Sequence, residues 1–302
     1  MVGKLKGARG LSRGFQTAVL LVLGCTFALA QVPLDGIAKA EDLYQHTDFE
    51  ASLALLDKHS NDAAVNFLLG RDYFSLGDFK KSAELLEKAT TEDPTNSEYE
   101  DWLGRAYGRR AETSNPLFAP GHASKARKAF ERAVVLNPKS SEALADLFDF
   151  YLEAPGFLGG GYDKAMGVAN QMAAIDPAEG YFAKAQLAQK QKDLQEAEFH
   201  LRQAIASAPR EVGKLLALAK LLSNEGRTQE SDALFQQADQ VSPNTPRVWF
   251  AWADTLIKEK HNLPEAKTLL QKYVQAQLTP DDPPKSKASK LLKQVEVAEN
   301  GA

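Results

Sequence analysis

Residue types that could carry out chemistry are few and widely separated in this sequence. The five histidines are dispersed, and none forms the His-Glu-x-x-His spacing that places two imidazoles and a general base on one helix face. The only cysteine, Cys25, has no second cysteine with which to pair or to share a metal. After the first thirty residues, the Gly-x-Ser-x-Gly spacing of a nucleophile turn is also missing. We therefore expect no enzyme activity, no metal site and no cofactor.

One glycine-rich segment, residues 154–161, invites comparison with a phosphate-binding loop. A Walker loop places Gly-Lys-Ser/Thr at the start of a helix that follows a strand, whereas Tyr162 and Asp163 follow here and no strand is predicted before them. We interpret the segment as a connector whose glycines permit positive φ. The alternative is contact with a partner, in which Phe157 and Leu158 would serve as exposed apolar anchors.

Charged residues form two patterns at helical spacing. Arg105 and Arg109 are four residues apart and therefore share a helix face, and Asp146, Asp149 and Glu153 follow the same rule. Two interpretations are open. The basic and acidic patches could pair with each other between adjacent helices and merely keep the surface hydrated. Alternatively, they could bind charged groups of a partner.

The elements that would position these residues follow from a repeated pattern. Residues 63–96 have the spacing of two short amphipathic helices joined by a Gly-Asp turn and closed by Pro94. Leu-Gly-x-x-Tyr, which begins at Leu69, recurs 34 residues later at Leu103. Gly70 and Gly104 have no side chain, so each would allow its helix to approach the next one closely.

This pattern resembles the tetratricopeptide repeat, in which Leu-Gly-x-x-Tyr, a small residue, an aromatic and a proline recur every 34 residues. The resemblance covers nearly everything after the first thirty residues. It implies an all-α fold, a right-handed α-solenoid of helix-turn-helix repeats. We expect a degenerate repeat over residues 31–62, the repeat array over 63–280, and a capping helix with a tail over 281–302, in which Asp282 caps the helix.

Two units of the array carry insertions. The closing prolines Pro94, Pro138 and Pro177 are separated by 44 and 39 residues rather than 34. The extra residues fall near 112–122 and 154–161, where prolines and glycines predict loops. Insertions in such arrays usually map to one face, which is often the binding face.

The resemblance also implies where a partner would bind. The first helix of each tetratricopeptide unit lines the concave groove, and Arg71, Arg105 and Arg109 would there grip an acidic or C-terminal group of an extended segment. Carried over to this sequence, the groove positions are Phe67, Arg71, Phe74, Trp102, Arg105, Arg109, Asp146, Asp149 and Glu153. The insertions add the candidate loop contacts Phe118, Phe157 and Leu158.

The first thirty residues have a different character. Four basic residues precede an apolar run of fourteen residues that ends Ala28-Leu29-Ala30, which is typical of a secretory signal peptide cleaved after Ala30. The run is shorter than the roughly twenty residues that span a bilayer. Val22-Leu23-Gly24-Cys25 loosely resembles a lipobox, but the run stays apolar beyond Cys25, so a signal peptide is favoured over a lipid anchor.

Composition limits the partners. The chain has 36 basic and 40 acidic residues, and removal of the four basic residues before the apolar run lowers the net charge from −4 to −8. An acidic chain argues against nucleic acid or an anionic membrane surface as the partner. The sequence therefore predicts a periplasmic or secreted, non-catalytic scaffold that binds a protein or peptide. The alternative is an assembly subunit of a bacterial envelope, secretion or polysaccharide-export complex, held at the membrane through Cys25 or its signal.

Overall fold

The computed structural model describes residues 34–56 and 61–300, and every regular element within them is helical. The predicted signal peptide, with Cys25 and Ala30, lies outside the described residues. Fifteen α-helices and one short 3₁₀ helix occur in this part of the chain. Their bounds are α1 Leu34–Gln45, α2 Phe49–Leu55, α3 Ala63–Ser75, α4 Phe79–Glu92, α5 Ser97–Thr113, α6 Ala119–Leu136, α7 Ser141–Glu153, the 3₁₀ helix Gly156–Leu158, α8 Tyr162–Ile175, α9 Pro177–Lys190, α10 Leu194–Ser207, α11 Val212–Asn224, α12 Thr228–Val241, α13 Pro246–Glu259, α14 Leu263–Gln275 and α15 Lys285–Asn300.

Successive helices form hairpins that stack on one another. Each odd-numbered helix from α1 to α13 packs against the helix that follows it. Helices also contact second neighbours, because α3 packs on α5, α5 on α7 and α7 on α9. Seven hairpins followed by α15 therefore form an α-solenoid, which confirms the predicted fold class.

The repeated glycines lie where the two helices of a hairpin approach each other closely. A Cβ added at Gly70 of α3 would lie 2.7 Å from Cγ of Leu86 in α4. A Cβ at Gly104 of α5 would lie 2.5 Å from two ring atoms of Phe130 in α6. Both distances are shorter than ordinary contacts, so a larger residue would displace its neighbour, and packing favours glycine, as the sequence predicts.

Local sequence signals start the helices at fixed points. In four consecutive units, a side-chain oxygen caps the first helix by accepting a hydrogen bond from an amide of its first turn. The capping residues are Asp62, Asn96, Ser140 and Asp176. Gly77 has φ +82° and ends the turn after α3, and Asp78 then caps α4 by accepting from the Lys81 amide at 3.0 Å. Each cap fixes where a hairpin begins and therefore which face it buries.

The first insertion is not the loop that its prolines and glycine predict. Only residues 114–118 connect α5 to α6, and Ala119 to His122 form the first turn of α6. Pro120 occupies that first turn, where the missing amide hydrogen has no helical partner to lose. The extra residues instead lengthen α5 to 17 residues and α6 to 18, compared with 13 in α3 and 14 in α4.

The second insertion is a glycine-rich turn, as predicted, and it is closely packed. Gly159 and Gly161 have φ of +95° and +140°, and the amide of Gly161 donates to the Tyr151 carbonyl at 2.8 Å. A Cβ at Gly160 would lie 1.9 Å from the carbonyl oxygen of Ala154. Glycine is therefore required for conformation at two positions and for space at the third.

The two ends of the array differ in detail from expectation. Helices α1 and α2 form the degenerate first hairpin, and α1 also contacts α3. At the other end, α15 begins at Lys285 rather than beside Asp282. The carboxylate of Asp282 accepts from the amide and hydroxyl of Thr279, both at 2.9 Å, so it stabilises the preceding turn and does not cap the helix. Within the described residues, no helix combines the length and apolar character needed to cross a bilayer.

Candidate partner-binding cavity

A concave cavity of about 610 Å³ lies between α5, α6 and α7, next to the glycine-rich turn. We call it the α5–α7 cavity. Its apolar wall combines side chains from four helices and the turn, principally Phe74, Ala111, Ala119, Ala123, Phe130, Phe150 and Leu158. Its charged wall consists of Arg105, Arg109, Glu112, Asp146, Asp149 and Glu153.

Both insertions create this cavity. The added turn of α5 contributes Ala111 and Glu112, and the added turn of α6 contributes Ala119. Pro155 and Leu158 of the glycine-rich turn line the same space. The lengthened hairpin extends one wall, and the turn after α7 forms the opposite wall.

Arg105 is held between two carboxylates. Its Nη2 lies 3.1 Å from Asp101 Oδ2, and its Nε donates to Asp146. Burial of Asp101, together with the negative charge of Asp146, raises the pKa of Asp101 to about 8. The guanidinium also lies 4.8 Å from the centre of the Trp102 ring. Arg105 therefore fixes the angle between α5 and α7.

The other arginines named by the sequence pattern are also paired. Arg109 forms an ion pair with Glu112 one turn away, and its guanidinium lies 5.0 Å from the ring centre of Phe79. Arg71 bonds Glu41 of α1 at 3.0 Å and lies 3.9 Å from the ring centre of Tyr44. No guanidinium of this set faces the cavity without a carboxylate beside it.

Asp149 differs from these residues. Within the described part of the chain, its carboxylate forms no hydrogen bond and no ion pair, yet it lies on the cavity wall. Asp149 is exposed to the cavity. Partial desolvation by the surrounding protein atoms, together with the negative charges of Asp146 and Glu153, raises the pKa of Asp149 to about 6. With four carboxylates and two guanidiniums, the cavity wall is net negative.

Seven of the residues proposed from the sequence line this one cavity: Phe74, Arg105, Arg109, Asp146, Asp149, Glu153 and Leu158. Two others do not lie on an open surface. Phe67 is 5% exposed and Arg71 is 8% exposed, because the α1–α2 hairpin and Tyr99 cover them. Their expected place in the groove is therefore wrong, and both belong to the interior of the stack.

The remaining candidates lie around the cavity. Trp102 is partly buried, with its ring centre 5.5 Å from that of Phe74, so it supports the apolar wall from behind. Phe118 and Phe157 are exposed at the tips of the two insertions. Leu158 was expected to be an exposed anchor but is half-buried, because its side chain turns towards the cavity.

Sequence reasoning missed the α6 wall. Ala119, Ala123 and Phe130 line the cavity because Ala119 starts a helix, whereas the sequence pattern assigned residues up to 122 to a loop. Pro120 carries the signal that could have found it, since proline is common in the first turn of a helix.

A second acidic group lies outside this cavity. One carboxylate oxygen each of Asp176, Glu179 and Glu211 could approach a common centre. The buried ammonium of Lys214 already lies there, 2.7 Å from Glu179 and bonded to Glu211. Lys214 thus supplies the positive charge that a metal ion would otherwise bring.

Comparison with known proteins agrees with the helical hairpins. Tetratricopeptide-repeat family models match residues 37–97 and 178–211. A tetratricopeptide repeat protein from Parabacteroides merdae superposes with a TM-score of 0.54 at 15% identity, over 87% of this chain and 98% of that one. A thermophilic repeat protein from Thermus thermophilus gives 0.49 at 21% identity, over 65% of this chain and 99% of that one. No curated protein sequence matches significantly.

These findings define the class of the molecule. The chain contains tetratricopeptide repeats, and the described residues form an α-solenoid built from them. Proteins of this architecture generally act as scaffolds for protein interaction.

Proposed function

We propose that this chain is a non-catalytic scaffold that binds a segment of a partner protein in the α5–α7 cavity. The observation that carries the proposal is a cavity of about 610 Å³ with aromatic walls on an otherwise regular array. Specific pockets in proteins measure about 300–1,000 Å³, so this one can hold two or three partner side chains.

The physical basis is burial against a rigid surface. Burying one partner Leu or Phe side chain against Phe74, Phe130 and Phe150 would contribute about 1.5–3 kcal/mol. The walls lie on helices whose relative positions are set by the Arg105 ion pairs and by Gly104. Little conformational entropy is therefore lost by the scaffold on binding.

The exposed apolar side chains beside the cavity support the same proposal. Leu117 and Phe118 are 80% and 61% exposed at the tip of the first insertion, and Phe157 is 84% exposed at the second. Large apolar side chains grouped near a concave site are typical of interaction surfaces. They would extend the contact beyond the cavity itself.

The test fills the cavity without touching its charges. Gly108 lines the cavity, and a Cβ there would meet no atom within 4 Å, so Gly108→Trp projects into the space. Gly167→Trp on α8 is the matched control, because that glycine is exposed and equally unobstructed. After crosslinking in native cells, Gly108→Trp should lose the captured partner and Gly167→Trp should keep it. If both variants captured the partner equally well, the cavity would not be the binding site.

We further propose that the protein is exported, so that the partner lies in the periplasm or outside the cell. The support is the sequence pattern of residues 1–30, with its basic start, apolar run and Ala-x-Ala end. Mass spectrometry of the mature N-terminus tests this proposal. Gln31 as the first residue would support a cleaved signal peptide, acylated Cys25 would instead support an anchored assembly subunit, and an intact Met1 would contradict both.

A further inference from the structure

We propose that the partner segment that occupies the α5–α7 cavity carries a lysine or arginine flanked by large apolar side chains, and that Asp149 is the carboxylate that pairs with it. This inference rests on the proposed function, because it names the chemistry of the segment bound at the same site.

The cations of the cavity already have carboxylate partners. Arg105 is shared by Asp101 and Asp146, and Arg109 is paired with Glu112. A carboxylate on the partner would have to break one of these intramolecular ion pairs in order to form its own, so the net gain in binding free energy would be small. The arginines are therefore poor receptors for an acidic or C-terminal group, although their spacing alone suggested that role.

The carboxylates of the cavity outnumber its cations. Four of them line the cavity against two guanidiniums, so the wall has a negative surplus. Glu153 is paired with Lys190 at 2.6 Å, whereas Asp149 has no partner among the described residues. A cation placed beside Asp149 would offset the repulsion that Asp149 meets from Asp146 and Glu153.

The shape of the cavity suits a long side chain with a charged end. Phe130 and Phe150 face the cavity with their ring centres 6.2 Å apart, and Phe74 closes the wall behind Arg105. The long alkyl stem of a lysine or arginine can lie along such rings while its charged end reaches a carboxylate. Neighbouring apolar side chains of the segment would fill the remaining volume of about 610 Å³.

Every charged group that faces this volume is consistent with the assignment. Helix α5 contributes Arg105, Arg109 and Glu112, and α7 contributes Asp146, Asp149 and Glu153. The residues that line it from α3, α6 and the glycine-rich turn are uncharged.

Because the pKa of Asp149 is raised to about 6, its charge is present at neutral pH and is lost in mild acid. Binding of a basic segment should therefore weaken as the pH falls from 7 to 5.

The experiment uses a phage-displayed library of random decapeptides selected on the purified protein at pH 7.5. Selected peptides are synthesised, and their affinities are measured by fluorescence anisotropy for four proteins: wild type, Gly108→Trp, Asp149→Asn and Asp281→Asn. Asp281 is exposed and distant in sequence from the cavity, so its variant controls for loss of one negative charge. Circular dichroism confirms that each variant folds.

The expected result is enrichment of Lys or Arg beside Leu or Phe, with binding abolished by Gly108→Trp. Asp149→Asn should weaken binding at least about tenfold, and Asp281→Asn less than about twofold. Two outcomes would overturn this inference and leave the proposed function standing. The peptides that lose binding to Gly108→Trp could carry acidic or neutral residues, or they could bind Asp149→Asn as tightly as the wild type. Peptides that bind Gly108→Trp normally, or no enrichment at all, would count against the proposed function itself.

Discussion

Two glycines one turn apart on α5 should respond in opposite directions to the same substitution. Gly104 faces Phe130 of α6, and a Cβ there would lie 2.5 Å from ring atoms Cδ1 and Cε1 and 2.9 Å from Cγ. Gly108 faces the α5–α7 cavity, and a Cβ there would meet nothing within 4 Å. Gly104→Ala and Gly108→Ala therefore change the same helix by the same methyl group in different surroundings.

The magnitudes follow from two opposing effects. Alanine in place of glycine inside a helix stabilises the folded protein by about 0.5–1 kcal/mol, chiefly because the unfolded chain has less freedom to lose. An extra methyl group forced into a packed contact costs about 1–3 kcal/mol. The ring of Phe130 is 6% exposed and cannot simply turn into solvent. Gly108→Ala should therefore gain up to about 1 kcal/mol, and Gly104→Ala should lose about 1 kcal/mol.

Urea unfolding followed by circular dichroism at 222 nm measures both variants against the wild type. A change of 1 kcal/mol corresponds to a melting-temperature shift of about 2–4 °C for a chain of this size, so thermal melts provide a second measure. Gly70→Ala, which meets Leu86 at 2.7 Å, should behave like Gly104→Ala. If Gly104→Ala stabilised the protein as much as Gly108→Ala, the hairpin contact would not be tight and the packing argument would fail.

Three further substitutions test other features of the array. Burial raises the pKa of Asp72 to about 7, so its ionisation increasingly destabilises the folded protein as the pH rises from about 4 to 7, and the full cost remains above pH 7. Asp72→Asn should therefore raise the free energy of unfolding in urea at pH 8, on the order of 1–3 kcal/mol, and have little effect at pH 4. In Gly160→Ala, the new Cβ would overlap the carbonyl of Ala154, so the folded protein should be destabilised by about 1–3 kcal/mol and the glycine-rich turn should open. Weaker peptide binding would show that the turn has moved. Arg71→Ala removes the ion pair with Glu41, so the free energy of unfolding should fall on the order of 2 kcal/mol and amide hydrogen exchange should become faster in α1 and α2. An equal increase in exchange along the whole array would contradict this.

The fold was predictable because its signals are local and repeat. Gly70, Gly104 and Pro94 occupy fixed positions in a 34-residue pattern, and the structure places both glycines against the companion helix. The error over residues 112–122 has a local cause as well. Pro120 and Gly121 are typical helix breakers, but proline in a first turn loses no hydrogen bond, so α6 begins before them.

The candidate site was only partly predictable, because its composition depends on distances between helices. Helical spacing places Arg105 and Arg109 on one face, but it does not show that Asp146, 41 residues later, approaches the guanidinium of Arg105. Likewise, nothing in the repeat positions of Phe67 and Arg71 shows that the first hairpin covers them. Burial and ion pairing between units are properties of the stack, and the pattern of one unit does not contain them.

The insertions explain why one place on a repetitive surface should be used for recognition. In a regular array each first helix is covered by the next first helix, and the apolar positions are buried within the stack. Helix α5 extends beyond this arrangement with 17 residues, whereas α7 has 13 and is followed by the glycine-rich turn instead of a further helical turn. Ala111 and Ala119 of the added turns, together with the rings of Phe130 and Phe150, then line open volume, and their exposure to water is unfavourable in the isolated protein. A segment that buries them and neutralises Asp149 removes both costs together.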